Sequence, residues 1–238
     1  HDSGARIVVP ALHALGVRRL LMLMLSHADA DHAGGGGAVM AAVPVDDARV
    51  PPGVLLGRAG QCVAGQHWEW DGVAFMVLHP PPRQPYRGNP SSCVLRVEAG
   101  GQAILLTGDI GIAEEGRLLR EQPGRLAAQV VVAGHHGSRT SSGPAWVGAT
   151  APRLVVFSAG HRNRFGHPHP QVVRRWQQGG AETVVTAHSG ALQIWAGPDG
   201  LFLREWRRWL ARRWDAAERD HMAAILSDEK RAAVRPED

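Results

Sequence analysis

The 238-residue sequence predicts an α/β fold, and three observations carry that prediction. Apolar runs of strand length recur along the chain, at Leu20–Leu25, Ala103–Leu106, Val130–Ala133 and Leu154–Phe157. Stretches with helical patterning fall between the later runs, at Ile110–Leu119 and Pro170–Gln178. Each of the four runs then ends in histidine or aspartate close to glycine, which is the composition of a binding loop and not of a finished core.

Composition sets the outer bounds. Hydrophobic residues make up 44% and charged residues 20%, as in a globular protein. No run of 18 apolar residues is present, so no membrane-spanning helix is expected in this stretch, and no signal peptide is recognisable. The chain starts at His1 and not at Met, and is read as a fragment or a processed product. A net charge of +4 suits an anionic partner without requiring one. Arginine supplies nearly all the positive charge, since Lys230 is the only lysine. Cys62 and Cys93 lack metal-ligand spacing and read either as buried thiols or as one disulfide.

The elements follow in order. Pro10 to Gly16 reads as a short helix with Gly16 as its C-terminal cap. Leu20–Leu25 reads as a buried strand running into Ser26-His27-Ala28-Asp29-Ala30-Asp31-His32-Ala33-Gly34-Gly35. His27 and Asp29 are two apart and face the same way in an extended segment, whereas the adjacent Asp31 and His32 point differently, as a second metal needs. Mixed imidazole and carboxylate suits zinc, manganese or iron. A helix follows at Ala38–Ala42, then a loop with one short strand from Val45 to Gly60.

Between Ala64 and Leu78, Asp71-Gly72 marks a two-residue hairpin turn. The second hairpin strand ends in Leu78-His79-Pro80, and the proline-rich loop to Pro90 is long enough to be functional. Strands are expected at Cys93–Val97 and Gln102–Leu106, the latter ending in Thr107-Gly108-Asp109. Asp109 suits either a helix cap or a metal. Val130–Ala133 runs into Gly134-His135-His136-Gly137-Ser138. No Gly-x-Ser-x-Gly elbow surrounds Ser138, so a hydrogen-bonding role fits better than a nucleophile. Leu154–Phe157 leads to His161-Arg162-Asn163-Arg164-Phe165-Gly166-His167-Pro168. Closing strands are expected at Thr183–Ala187 and Ala191–Trp195 around His188-Ser189-Gly190. From Leu203 the character changes. Leu203, Trp206, Leu210 and Trp214 fall at helical spacing with arginines between them, giving a domain over residues 1–200 and an Arg/Trp-rich helix and tail over 201–238.

These motifs carry a resemblance. His27-x-Asp29-x-Asp31-His32 resembles the His-x-His/Asp-x-Asp-His signature of the metallo-β-lactamase superfamily. Its Ser-His-Ala-Asp-Ala-Asp-His-x-Gly-Gly form, together with Leu78-His79-Pro80, Asn89-x-x-Ser92, Thr107-Gly108-Asp109, His135-His136-Gly137-Ser138 and Gly166-His167-Pro168, is similar to the hydrolase domain of ComEC-type competence proteins. The resemblance runs from about Asp2 to Trp195 and implies an αββα sandwich. His1-Asp2-Ser3-Gly4 looks like the Asp-x-Gly segment that follows the first strands of that fold, so N-terminal strands are expected to be truncated.

Carried over residue by residue, the resemblance implies two divalent ions, zinc or manganese. One would take His27, Asp29 and His79; the other Asp31, His32 and His135; Asp109 would bridge. Asp29, where imidazole is more common, should tilt the site toward manganese or a mixed preference. Asp31 and Asp109 would carry the chemistry with His167, which would protonate a leaving alkoxide or hold a phosphate oxygen. His136, Ser138 and Asn163 would contact substrate. The implied function is a DNA phosphodiesterase that degrades the non-imported strand. The implied partners are DNA and the membrane-embedded remainder of a parent competence protein, and the implied site is the outer face of the bacterial inner membrane. The alternatives are a small-molecule phosphodiesterase, similar to phosphorylcholine esterases, or a non-catalytic DNA-binding gate.

Overall fold

The computed structural model describes residues 2–197 and 200–210. A π-helical turn at Gly4–Val8 leads directly into α1 (Val9–Ala14), so the first helical segment starts well before the expected Pro10. Gly16 closes it with φ +74°, as a glycine cap should. β1 (Leu20–Met24) follows, then α2 (Ala30–Ala33), α3 (Gly36–Ala42), β2 (Val45–Val50) and β3 (Gly60–Gln61). β1, β2 and β3 form a parallel three-stranded sheet in that order. β1 is half-buried and not fully buried, because it is an edge strand.

The larger sheet begins with the hairpin of β4 (His67–Trp70) and β5 (Val73–His79). Asp71 and Gly72 both take positive φ, 50° and 78°, which matches the right-handed strand twist. β6 (Val94–Ala99) and β7 (Gln102–Leu106) extend the antiparallel half. From there the pairing turns parallel, and parallel neighbours need crossovers. α4 (Ile112–Glu121) leads to β8 (Val130–Val132), α5 (Pro144–Thr150) to β9 (Leu154–Phe157), and α6 (Pro170–Gln178) to β10 (Glu182–Val185). The result is a seven-stranded sheet of order β10-β9-β8-β7-β6-β5-β4.

Strand alternation divides the core. Leu105, Val131, Val155 and Phe157 face α4–α6, packing against Leu118, Trp146, Val172 and Trp176. Val130, Leu154 and Val156 face the other way. A two-stranded ribbon covers them through Leu192, Ile194, Leu201 and Leu203. Further along, Val77 and Leu95 meet Met24 of β1 and the Cys62–Cys93 disulfide. Two sheet layers with helices outside the larger one are therefore held by apolar alternation, as the α/β sandwich requires.

Two expectations fail at the C-terminal end. β10 and the next strand do not form a hairpin around His188-Ser189-Gly190. α7 (Thr186–Ser189) intervenes, and β11 (Leu192–Gly197) pairs instead with β12 (Gly200–Glu205) in the separate ribbon. The helix expected from Leu203 is strand to Glu205, and of the described residues beyond Leu203 only α8 (Trp206–Trp209) is helical. Trp214 and residues 211–238 lie outside the described residues.

Candidate metal centre

Four strand ends meet at one rim of the large sheet. β1 delivers Ser26 and His27, with Asp29, Asp31 and His32 on the turn into α2. The start of β6 delivers Ser92, β7 delivers Asp109, and β8 delivers His135 and His136. Their approach is close: a Cβ on Gly108 would lie 2.8 Å from Ser92 Cβ and 2.9 Å from Ser26 Cβ. Gly108 also has φ +54°, so glycine answers both demands there.

Hydroxyls and carbonyls fix the rings. Ser26 Oγ is in hydrogen-bonding contact with Nδ1 of His27 at 3.1 Å and of His32 at 2.9 Å. His136 Nδ1 donates to the Ser158 carbonyl at 2.8 Å. That bond places a proton on Nδ1, which in the neutral ring leaves Nε2 as the lone-pair atom. The backbone N–H of Asp109 donates to Ser92 Oγ at 3.0 Å, holding the carboxylate among the rings.

The free ends of these side chains converge. His32 Nε2 lies 3.1 Å from Asp109 Oδ1 and 3.1 Å from His136 Nε2. His136 Nε2 is 3.2 Å from Asp31 Oδ2 and 3.5 Å from Asp109 Oδ2. His27 Nε2 is 3.6 Å from Asp29 Oδ2 and 3.9 Å from Asp109 Oδ2. Two overlapping groups result, His27 with His32 and Asp109, and Asp31 with His32 and His136, each with ligand atoms within 4.8 Å of one another. His27 Nε2 is buried and has no hydrogen-bond partner among the described residues. Carboxylate oxygens and imidazole nitrogens crowded this way repel unless a cation or proton sits among them. The donor set fits a borderline divalent ion.

The charges agree with that reading. Burial would push the Asp109 carboxyl up, but the hydrogen bond to His32 and the surrounding imidazoles hold it below the usual carboxylate range. Burial lowers His27, and neighbouring His32 lowers it further. Burial also works against charge on His32, yet the Asp109 hydrogen bond raises it above the ordinary histidine value.

The expected residues divide. His27, Asp29, Asp31, His32 and Asp109 come together. Asp31 and His32 do not point apart, because the α2 turn carries both toward His136. His79 does not join them. Its Nδ1 donates to the Ser92 carbonyl at 2.9 Å, burial lowers its pKa, and its Nε2 is buried without a hydrogen-bond partner among the described residues. His135 stands at the margin, with Nε2 4.0 Å from Asp109 Oδ2 and 3.3 Å from Asn89 Nδ2. His136 takes the inner place. Both histidines are left-handed, at φ 49° and 54°, and Gly137 continues at 81°, a tight coil that turns the second ring inward.

His167 stands at the rim, its ring centroid 5.8 Å from His135 and 6.4 Å from His136. Burial lowers its pKa, and the two neighbouring imidazoles add to that. Asn163 clamps its own loop: its amide donates to the His167 carbonyl at 2.6 Å, and its Oδ1 accepts the His167 N–H at 3.0 Å. Ser138 is buried in its turn, 3.1 Å from Thr140 Oγ1, which in turn contacts His135 Nδ1 at 3.2 Å. Sequence reasoning gave no site role to Ser26, Ser92, Asn89 or Thr140. Ser26 directly precedes His27 and Ser92 closes the Asn-x-x-Ser motif, so a signal was present for both.

Comparison with known proteins fits this geometry. The family model for the metallo-beta-lactamase superfamily matches residues 2–161. Over 200 residues the chain is 43% identical to "Competence protein ComA" of Neisseria gonorrhoeae, covering 82% of this chain and 28% of that protein. It is 31% identical over 205 residues to "ComE operon protein 3" of Bacillus subtilis (80% of this chain, 26% of that protein). It is also 31% identical over 211 residues to "Recombination protein 2" of Haemophilus influenzae (86% and 26%). The chain thus spans little more than a quarter of the length of these curated relatives. With a family match over residues 2–161 and a 43% identical competence protein beside it, the chain belongs to the metallo-β-lactamase superfamily, in the form found in ComEC-type competence proteins.

Proposed function

We propose that this domain is a dinuclear metal-dependent phosphodiesterase that cleaves DNA, degrading the non-imported strand during uptake. The observation that carries the reading is the convergence of Asp31, His32, Asp109 and His136 within 3.1–3.5 Å along four contacts, beside buried His27. His27, Asp29, Asp31, His32, Asp109 and His136 would hold the two ions, zinc or manganese, with His135 at the edge. Such ions, when bound, polarise a phosphoryl oxygen and lower the pKa of water toward neutrality.

The chain's own residues do the rest. Ser26, Ser92 and the Ser158 carbonyl set ring orientation before any ligand arrives. His167 stands where it can donate a hydrogen bond to a phosphoryl oxygen or to the leaving alkoxide. The Asn163 clamp holds the His167 backbone for that role. The names of the relatives support a place in competence. The Cys62–Cys93 disulfide supports a location outside the cytoplasm, because such bonds persist in oxidising compartments. On this reading the domain faces outward as part of a membrane-embedded parent.

The test is cleavage of end-labelled single- and double-stranded DNA with zinc, manganese or magnesium, by the wild type and by Asp31→Ala. Cleavage with manganese or zinc, lost by at least about a hundredfold in the variant (roughly 2.7 kcal/mol of barrier), is the expected result. Retention of DNA without cleavage supports a binding gate instead. Hydrolysis confined to small diesters supports the small-molecule reading.

A further inference from the structure

Beside the metal centre, and sharing His167 with its rim, lies an open cleft of about 650 Å³. His161, Arg162, Asn163, His167, Arg174 and His188 are among its lining. Phe165 belongs to the same loop. It is 64% exposed. Its ring lies nearly parallel to His167, at 18° and 5.8 Å between centroids. His167 in turn lies nearly parallel to His136, at 23° and 6.4 Å. A stepped column of flat rings therefore runs from the metal centre outward to solvent and ends in an exposed aromatic face.

One arginine lies over that outer end, and two more line the neighbouring cleft. The Arg164 guanidinium lies 4.7 Å from the Phe165 ring centroid, and Arg162 and Arg174 line the cleft. A flat apolar ring among cations is the chemistry that single-stranded nucleic acid requires: π-stacking for a base and positive charge for its phosphates. A base-paired duplex has its base faces covered by stacking and cannot offer one to a protruding ring without unstacking. The exposed cation–π pair of Arg164 with Phe165 is weaker than a base stacked on the ring. A base can displace the guanidinium and leave it free to meet phosphate.

We propose that Phe165 is a stacking platform for a nucleobase of the strand held at the metal centre, with Arg162, Arg164 and Arg174 receiving its phosphates. The substrate segment at this subsite is then single-stranded, and the base beside the reacting phosphate is recognised by its face. This deepens the phosphodiesterase reading and rests on it for the position of the phosphate. The binding claim can still be measured alone.

The experiment is fluorescence anisotropy of the whole chain with three labelled probes: a single-stranded oligothymidine, an abasic oligomer of equal length and charge, and a duplex. Phe165→Ala is expected to weaken oligothymidine binding about tenfold, within the range for loss of one base–aromatic stack. Its affinity for the abasic oligomer should not change, and Phe165→Trp should restore or strengthen oligothymidine binding. Equal losses on both single-stranded probes, or no loss on either, overturns the proposal. So does wild-type preference for the duplex at equal salt. If the wild type shows this base-dependent binding yet cleaves no DNA under any metal, the platform stands and the phosphodiesterase reading falls.

Discussion

Ser92 shows how much one buried hydroxyl can organise. Its Oγ accepts the Asp109 N–H and lies 3.4 Å from His27 Nδ1, and its carbonyl accepts His79 Nδ1–H. It therefore links the carboxylate to two imidazoles without being a ligand. Removing such a support commonly weakens metal affinity by 10–100-fold. Ser92→Ala should show about that loss for manganese or zinc in competition with a chromophoric chelator, and unchanged affinity would remove Ser92 from the site. At this scale the candidate cluster was legible where it was local. His27, Asp29, Asp31 and His32 are fixed by one strand end and one turn. The choice between His135 and His136 was not legible, because it depends on three successive positive-φ residues that no spacing rule reveals. His79 lies outside the two groups of ligand atoms: its position at a strand end marked the rim, and its Nδ1 is held by the Ser92 carbonyl.

At the scale of elements, the junction of α4 with the entry to α5 carries a second buried polar group. Glu115 accepts N–H bonds from Ser142 at 2.5 Å and Gly143 at 2.8 Å, so the loop after the His-His motif is tied to α4. Burial pushes its carboxyl up to about 7, although those two N–H bonds favour the ionised form. An unfolded chain would lose this proton near the ordinary glutamate value. Between that value and pH 7 the folded form therefore holds a proton the unfolded form has lost, and stability falls as pH rises through the window. The full effect is on the order of 3 kcal/mol. Urea unfolding at pH 5 and pH 7.5 should show the wild type losing more stability than Glu115→Gln, and parallel profiles would contradict this. Helix α6 was legible to the residue, because Pro170 and the inward Val172 and Trp176 mark it. β12 was not. Leu201 and Leu203 alternate inward with Phe202 and Arg204 between them, but Phe202 is also apolar and hides the period of two.

Across the whole molecule, the fold works by bringing distant strand ends to one rim. β1 lies in the small sheet and β7 and β8 in the large one, so the site exists only when the two layers pack. The disulfide contributes there, joining Cys62 after β3 to Cys93 beside Ser92 across 31 positions of chain. Closing a loop of that length stabilises by about 3–4 kcal/mol in the chain-entropy account. Sequence alone left that pairing open, since two cysteines without metal spacing are compatible with either state. The α/β class was legible because strand-length apolar runs have helical stretches between them, and the αββα sandwich because of the family resemblance. The split of the C-terminal strands into a separate ribbon was not, because it is decided by which apolar face remains uncovered.

The most direct measurement is the metal content of dialysed protein by mass spectrometry, for the wild type, His136→Ala and His79→Ala, each checked for folding by circular dichroism. About two divalent ions per chain are expected in the wild type and in His79→Ala, with at least one lost in His136→Ala, as a two-metal site held by His136 demands. Full occupancy in His136→Ala with loss in His79→Ala would contradict the centre described.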